Sequence, residues 1–379
     1  MRYCVLTFAA LICCGYQGRT FAQAGPDIIW VTNAHFDYVQ IVAFAQDSQR
    51  LASGGYADRD AKVWSVTNEM LVRAVHLFNQ GRILSVALSS DGSLLGIGGD
   101  EGKTSGWRMS DGVRLWIGGP DNQLAYSVSF SPDDSLLAIG RTDGINVRYA
   151  ENGIGIPFGE PPGIVFSLCF SPGGQSLASA NDNFNVSLWR VPEGTLIHDF
   201  VGHSDAVTSV DFSTGGSLLA TASADGTARV WNVTNAEPLL ILEGGGGAAK
   251  FSANGSLLYT LSGGTFKIWR IASGSCVGAI TNTGAICFDI AKNGKYFAYG
   301  TGSGAVVLAR LPVVIDSITR SGNQTVLSWQ GGSGLYQLQS RTNLMKGSWE
   351  NLGSTSTNTT VTNIGSLTPF FRVMSVSNP

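Results

Sequence analysis

Few residues of this chain have the types and spacing that a catalytic site requires. Residues 96–104 (GIGGDEGKT) end like a phosphate-binding loop, but that motif needs a glycine five positions before Gly102, where the chain has Ile97. A strand pattern follows the segment, so no helix N-terminus is available to bind an anion. We therefore interpret it as a glycine-rich turn between strands.

The histidines and acidic residues also lack the spacing of a metal or nucleophilic site. The sequence contains no HExxH, CxxC or Gly-x-Ser-x-Gly segment. Asp58, Arg59 and Asp60 could begin a calcium loop, but the glycine and the distal carboxylate of that loop are missing. The four histidines are scattered, at His35, His76, His198 and His203. We expect no catalytic residue, no metal and no cofactor.

The overall charge is close to neutral. Lys and Arg number 24 and Asp and Glu number 27, which gives a net charge of -3. No clustered basic stretch provides the positive surface that binds phosphate backbones, so we expect no nucleic-acid partner. The 49 glycines favour many tight turns between short strands.

The N-terminal 24 residues have the pattern of a secretory signal peptide. Arg2 precedes an apolar run at residues 5–14, and the small-x-small triplet Ala22, Gln23 and Ala24 follows. A buried N-terminal strand is the alternative, and lipidation at Cys13 or Cys14 is left open. No later stretch reaches about 18 apolar residues, so we expect no transmembrane segment in the mature chain. The protein is then exported, to a periplasmic, cell-surface or extracellular location.

Cysteine usage neither supports nor excludes export. Removal of the leader leaves Cys169, Cys276 and Cys287, an odd and small number that does not form a disulfide framework. Cys169 and Cys287 lie in apolar strand patterns, where a free thiol behaves as a small buried hydrophobe.

A repeat of about 40 residues organises the region between residues 27 and 311. Each unit has an alternating strand, a turn rich in Ser, Pro, Asp and Gly, a second strand of the LLA type and a third strand that ends in an aromatic residue. The anchor positions are Trp64, Trp107, Tyr149, Trp189, Trp231 and Trp269, with Ala309 in the seventh slot. Four short strands per unit are typical of a propeller blade, which must stack on its neighbours to bury both faces.

The units resemble the WD-repeat family, over about residues 27–311. The fifth unit is the best match, with Gly202-His203 before it, Asp225-Gly226 in the turn and Trp231-Asn232 at its end. The resemblance implies hydrogen-bonded structural sets in two units: His203, Thr221 or Ser223, Asp225 and Trp231 in the fifth, and His35, Ser53, Asp58 and Trp64 in the first. The other units lack the histidine, and the final dipeptide is never Trp-Asp.

The two ends of the repeat region complement each other. Residues 27–33 (DIIWVTN) form a predicted strand before the first full unit, while the seventh unit stops after its third strand at Leu311. The early strand is therefore predicted to complete the last blade by pairing with residues 305–311, which protects the open sheet edge. The fold class is all-β: a seven-bladed β-propeller over residues 25–312.

The pattern changes in residues 313–379. Short strand-like runs contain Trp329, the triplet Leu367, Thr368 and Pro369, and the run FFRV at residues 370–373. These features resemble a short fibronectin type III module, which implies a small C-terminal β-sandwich. A glycan-binding role for this module is left open.

Large aromatic residues and arginines stand where the best-matching unit has small or polar loop residues. Aromatic residues with arginine are typical of protein-binding hot spots. We predict a partner-binding face that contains Phe36, Tyr38, Arg59, Arg82, Tyr126, Arg141 and Phe166. Ordinary packing between blades remains an alternative for Tyr126 and Phe166.

The predicted function is an exported, non-catalytic binding or scaffold platform for a protein or another macromolecule. A hydrolase or lyase with a site in the central funnel is one alternative. It is disfavoured because the predicted inner-strand positions are apolar or small: Ile41, Leu84, Tyr126, Phe166, Thr208, Gly247 and Ile286. A second alternative is a cell-envelope structural component held by its C-terminal module.

Overall fold

The computed structural model describes residues 26–77, 81–119, 123–159 and 163–312 in full. Outside these ranges it describes only the backbone of eight strands: Ala9–Cys13, Ala22–Gln23, Val314–Ser321, Gln324–Gln330, Leu335–Arg341, Glu350–Asn351, Thr360–Val361 and Phe370–Val376. The predicted signal peptide and fibronectin type III-like module thus lie outside the fully described residues. No helix in the described part of the chain is long and apolar enough to cross a membrane.

The fully described residues form seven four-stranded antiparallel sheets, the blades of a propeller. Within each blade the strands follow one another from the innermost to the outermost. The strands of blades 1 to 3 are Val39–Phe44, Arg50–Gly55, Asp60–Ser65 and Leu71–His76; Ile83–Leu88, Leu94–Gly99, Thr104–Arg108 and Val113–Gly118; and Ala125–Phe130, Leu136–Arg141, Gly144–Tyr149 and Gly155–Ile156.

Blades 4 to 7 repeat this order around the same axis. Their strands are Val165–Phe170, Ser176–Asn181, Val186–Arg190 and Leu196–Phe200; Val207–Phe212, Leu218–Ser223, Thr227–Asn232 and Pro238–Glu243; Ala248–Phe251, Leu257–Ser262, Thr265–Arg270 and Cys276–Ile280; and Ala285–Ile290, Tyr296–Thr301, Ala305–Arg310 and, from the start of the chain, Asp27–Asn33. The backbone strand Ala22–Gln23 runs parallel to Cys276–Ile280 at the rim of blade 6.

The predicted closure of the ring is confirmed. Asp27–Asn33 pairs antiparallel with Ala305–Arg310, from Asp27 opposite Arg310 to Asn33 opposite Ala305. An ion pair between Arg310 Nη1 and Asp27 Oδ2, at 3.1 Å, fixes one end of this pairing. The strand also contacts blade 1, because the ring of Trp30 lies 6.2 Å from that of Trp64.

Serine side chains connect the innermost strands of consecutive blades. Each innermost strand is the edge of its sheet, so the N–H groups that face away from the sheet need partners elsewhere. In four successive junctions the hydroxyl of a serine accepts a backbone N–H of the next blade: Ser85 from Val128 at 3.0 Å, Ser127 from Leu168 at 3.0 Å, Ser167 from Val210 at 3.3 Å and Ser209 from Ala249 at 3.2 Å.

Two aspartates make the equivalent contact two residues further along the innermost strands. Asp211 Oδ2 accepts the N–H of Phe251 at 2.8 Å, and Asp289 Oδ2 accepts the N–H of Phe44 at 2.9 Å. The second bond crosses the junction between blades 7 and 1, where the ring closes. Hydrogen bonds to an ionised acceptor are stronger than neutral ones, so these bonds reinforce the closing part of the ring.

Both structural sets implied by the WD-repeat resemblance are hydrogen-bonded. In blade 1, His35 contacts Asp58 at 2.7 Å and Ser53 at 2.9 Å, and Trp64 Nε1 donates to the same Ser53 hydroxyl at 3.0 Å. In blade 5, the corresponding set joins His203 to Asp225 at 2.8 Å and to Thr221 at 2.7 Å, while Trp231 Nε1 donates to Thr221 at 2.9 Å.

The structure distinguishes the two hydroxyl candidates of blade 5. Thr221 is the bridging hydroxyl, because it contacts both the histidine and the tryptophan. The Ser223 hydroxyl donates to the Asp205 carbonyl at 2.9 Å and accepts the N–H of Asp225 at 3.1 Å, so Ser223 stabilises the adjacent turn.

The prediction that Tyr149 is the aromatic anchor of blade 3 is wrong. The tryptophan anchors of blades 1, 2, 4, 5 and 6 each pair with a leucine of the second strand, as Trp231 does with Leu219. In blade 3 that leucine, Leu137, pairs with Arg148. A two-residue turn between Arg141 and Gly144 shifts the register by one residue, which sends Tyr149 to the other side of the sheet.

Ser127→Ala tests the contacts between innermost strands. We expect it to lower the free energy of unfolding by about 1–3 kcal/mol, because the buried N–H of Leu168 loses its acceptor. Ser217→Ala is the control, since Ser217 is exposed between the first and second strands of blade 5; it should change stability by less than about 0.5 kcal/mol. Chemical denaturation measures both, and equal effects would contradict the assignment.

Asp225→Ala tests the structural set of blade 5. We expect a loss of about 1–3 kcal/mol, because a buried donor is left unpaired, and Trp231→Ala should cost about 3–5 kcal/mol through the lost aromatic packing. Ser204→Ala serves as the control, because only its backbone N–H contacts Asp225. An Asp225→Ala protein with full stability but without a binding activity would show that the set is functional instead.

Candidate partner-binding face

The antiparallel order of the strands places two classes of loop on one face of the ring. These are the segments that precede each innermost strand and the turns between second and third strands, and we call this side the upper face. Phe36 and Tyr38 precede the innermost strand of blade 1, Arg59 lies in the turn of that blade, and Arg82 precedes the innermost strand of blade 2. All four predicted residues are therefore on the upper face.

Tyr38 and Arg82 belong to one cluster whose centre is Tyr56. The rings of Tyr38 and Tyr56 stack with their centroids 4.6 Å apart. The guanidinium of Arg82 lies 4.7 Å from the Tyr56 ring centroid, and its Nη1 donates to the Tyr56 hydroxyl at 2.5 Å. We call Tyr38, Tyr56 and Arg82 the aromatic-arginine cluster.

Hydrogen bonds hold the cluster at its base. The carboxylate of Asp100 accepts the backbone N–H of Arg82 at 2.6 Å and lies 3.7 Å from the Arg82 Nε. Burial, followed by the hydrogen bond with Tyr56, raises the pKa of Tyr38 to about 12. The phenol is therefore protonated at neutral pH and can donate a hydrogen bond.

Tyr56 was missed by the sequence interpretation. It follows Gly55 at the start of the turn between the second and third strands, a position where the fifth unit has Ala224. A large residue at this small-residue position was the available signal. The contact with Tyr38 could not be derived from spacing alone, because it joins two loops of the blade.

Phe36 is strongly exposed, with 80% of its surface accessible. Its neighbour His35 is buried in the structural set of blade 1 and donates its backbone N–H to the Gly304 carbonyl at 3.0 Å. Arg59 is also exposed, in a left-handed turn conformation with φ of 61°. Both side chains thus project from well-anchored backbone into solvent.

The structure adds two exposed apolar residues to the upper face. Phe184 lies in the turn between the second and third strands of blade 4 and is 44% accessible, and Val201 precedes the innermost strand of blade 5. Sequence interpretation missed both. An aromatic residue among the asparagines of the blade 4 turn was the signal for Phe184.

Three other predicted binding residues lie in strands and not in the loops of the upper face. Arg141 makes a bidentate ion pair with Asp143, at 2.8 and 2.5 Å, and its side chain is only 11% accessible. Tyr126 and Phe166 lie on innermost strands, with their rings edge-to-face at 5.3 Å, and line the central channel. The interpretation of these two aromatics as packing between blades therefore accounts for their position.

The central channel has a volume of about 540 Å³. Ile41, Thr208 and Ile286, which were predicted as inner-strand positions, line it together with the two aromatic residues. Deeper in the channel, Lys250 Nζ lies 3.9 Å from Asp211 and 3.7 Å from Asp289.

The charged side chains of the channel neutralise one another. Burial disfavours the charge on Lys250, but Asp289 and Asp211 outweigh it and raise its pKa above the ordinary value. The amine is therefore a paired cation and not a free base. Burial also raises the pKa of the nearby Cys169 thiol, so this group is protonated at neutral pH. Sequence interpretation missed the Asp-Lys-Asp triad, whose members belong to three separate units.

The family comparison agrees with this architecture. The family described as WD domain, G-beta repeat (WD40) matches residues 27–65, 158–190 and 194–232. The first and third segments contain the two complete structural sets. The fold is thus a seven-bladed β-propeller that contains WD40 repeats.

Two curated relatives are similar to part of the chain. Small ribosomal subunit protein RACK1y of Oryza sativa subsp. japonica is 28% identical over 167 residues, which are 41% of this chain and 49% of the relative. Small ribosomal subunit protein RACK1 of Caenorhabditis elegans is 27% identical over 173 residues, or 42% of this chain and 52% of the relative. The chain spans about half the length of the curated relatives it matches.

The histidine set of blade 5 should make stability depend on pH. Burial lowers the pKa of His203 and outweighs the opposing bond to Asp225. Burial alone would raise the pKa of Asp225, but hydrogen bonds from His203 and Thr227 hold it below its ordinary value. Both groups therefore take up protons more readily in the unfolded chain, so stability decreases as the pH falls, first below about 6.5 for His203 and then below about 3.8 for Asp225.

We expect the free energy of unfolding to decrease between pH 7 and pH 5, and His203→Asn to remove part of this decrease. Denaturation curves at the two pH values measure the difference, which is independent of any constant loss caused by the substitution. An unchanged pH dependence in His203→Asn would show that other groups control it.

Proposed function

We propose that this protein is a non-catalytic binding platform that holds a protein partner on the upper face of its propeller, above blades 1 and 2. Both curated relatives are named as proteins of the small ribosomal subunit, which is a macromolecular assembly. That similarity supports a role through contact with other macromolecules. It does not specify the partner of this chain.

The observation that carries the proposal is the aromatic-arginine cluster beside Phe36. Stacked tyrosines with a guanidinium above one ring combine apolar area with hydrogen-bonding groups, and such residues contribute most of the energy at protein interfaces. The backbone below them is anchored by Asp100 and by the His35 set. Few side-chain rotamers would have to be immobilised on binding, so less entropy is lost.

The same proposal includes export of the protein. Its support is the N-terminal pattern of a charged start, an apolar run and a small-x-small triplet in residues 1–24. The location is then periplasmic, cell-surface or extracellular. We also propose that residues 313–379 form a fibronectin type III-like module, which would attach the propeller to the envelope or to glycans.

The double substitution Tyr38→Ala with Arg82→Ala should weaken retention of the partner at least tenfold, which corresponds to about 1.4 kcal/mol. The thermal midpoint should stay nearly unchanged, because both side chains lie at the surface. Quantitative affinity capture of the tagged protein, followed by mass spectrometry, measures the retained partner.

Arg108→Ala is the matched control for this experiment. Arg108 is an exposed arginine that pairs with Asp111 on the opposite face of the ring, and its removal should leave retention unchanged. If the double variant melts early, the cluster belongs to the core. If it folds and still holds every partner that the control holds, the binding face lies elsewhere.

A further inference from the structure

A large groove lies between blades 3 and 4 on the lower face, opposite the aromatic-arginine cluster. It has a volume of about 830 Å³ and is formed by the turns that join first to second and third to fourth strands. Tyr149, Ile156 and three prolines, Pro132, Pro157 and Pro192, supply its apolar lining.

The groove results from the altered register of blade 3. The one-residue shift places Tyr149 outward, where 47% of its surface is accessible. The fourth strand of this blade has only two residues, Gly155–Ile156, which pair with Arg148 and Val147 beside the tyrosine. Blades 1, 2, 4, 5 and 6 have a fourth strand of five or six residues.

The walls of the groove are preformed. Trp116 of blade 2 donates its Nε1 to the Ala150 carbonyl at 2.7 Å, which supports the turn that follows Tyr149. Beyond the short strand, Phe158 packs against Trp189 of blade 4, with ring centroids 6.2 Å apart. Proline rings have no free backbone torsion at φ, so a ligand would find this surface already ordered.

The charge of the groove is one-sided. Asp133 and Glu193 line it and are exposed, and none of its lining residues, all of which the structure describes, is a lysine or an arginine. Hydrogen bonds from Ser131 and Ser135 lower the pKa of Asp133, so it carries a negative charge at neutral pH. The groove thus combines an aromatic and proline surface with two carboxylates, of which that of Asp133 is held by hydrogen bonds.

We propose that this groove is a second docking site, which binds an extended, proline-containing segment of a partner protein through its apolar residues and one basic side chain. Proline-rich segments adopt an open left-handed helix without internal hydrogen bonds, and they dock in grooves lined by aromatic residues. The basic residue pairs with Asp133 or Glu193. Because the site lies on the lower face, it is independent of the partner bound above.

The probe is a synthetic peptide, Ac-RPLPPLPRPL-NH2, titrated into the full-length protein by isothermal calorimetry. We expect saturable one-to-one binding, weakened at least fivefold by Tyr149→Ser and by Glu193→Lys. Tyr149→Phe should retain binding, because the ring is what contacts the peptide. A second peptide with glutamate in place of both arginines should bind at least fivefold more weakly than the first.

Two further variants separate this proposal from the upper-face function. Tyr38→Ala with Arg82→Ala should bind the peptide as the wild type does, and Tyr149→Ser should still retain the upper-face partner. All variants are compared by thermal melting, since a folded Tyr149→Ser protein is required. Absence of binding by the wild type up to about 1 mM peptide, or equal binding by folded Tyr149→Ser and wild type, would overturn the proposal.

Discussion

The whole architecture depends on how the innermost strands satisfy their outward-facing N–H groups. A sheet edge in a protein interior cannot leave these donors unpaired without a cost of about 1–3 kcal/mol each. Here the side chains of the preceding blade accept them, through Ser85, Ser127, Ser167 and Ser209 in blades 2 to 5 and through Asp211 and Asp289 nearer the closure. At five junctions a blade is therefore completed by its neighbour, so stability depends on the ring as well as on the single blade.

This arrangement leaves particular loop positions free to vary. On the upper face, His35 and Asp58 belong to an anchor set that holds the fold, whereas neighbouring positions are not part of it and can carry Phe36, Tyr38 and Arg82. The same freedom explains blade 3. Its turn and fourth strand are altered, yet Ser127 still contacts Leu168 and keeps the blade in register with blade 4.

Periodicity predicted the seven blades and the closing strand because both depend on patterns repeated along the chain. The errors have local causes. Along the sequence, Tyr149 follows Leu137 by the same number of residues as Trp231 follows Leu219. Spacing alone therefore could not show that the shorter turn of blade 3 shifts its strand pairing by one residue. The guanidinium of Arg141 forms an ion pair with the carboxylate of Asp143, two residues away. Asp211, Lys250 and Asp289 come together only once the ring is formed, and no single unit contains that information.

The closing strand is the earliest fully described strand of the chain, yet its partner is among the last strands of the propeller to be synthesised. Asp27–Asn33 and Ala305–Arg310 are separated by more than 270 residues, so their pairing has a very high contact order. During synthesis, Asp27–Asn33 remains without its partner strand until blade 7 has emerged. After blade 7 has emerged and before the ring closes, the chain has two complementary open edges, which are sites for pairing with a second chain. Closure of the ring removes both at once.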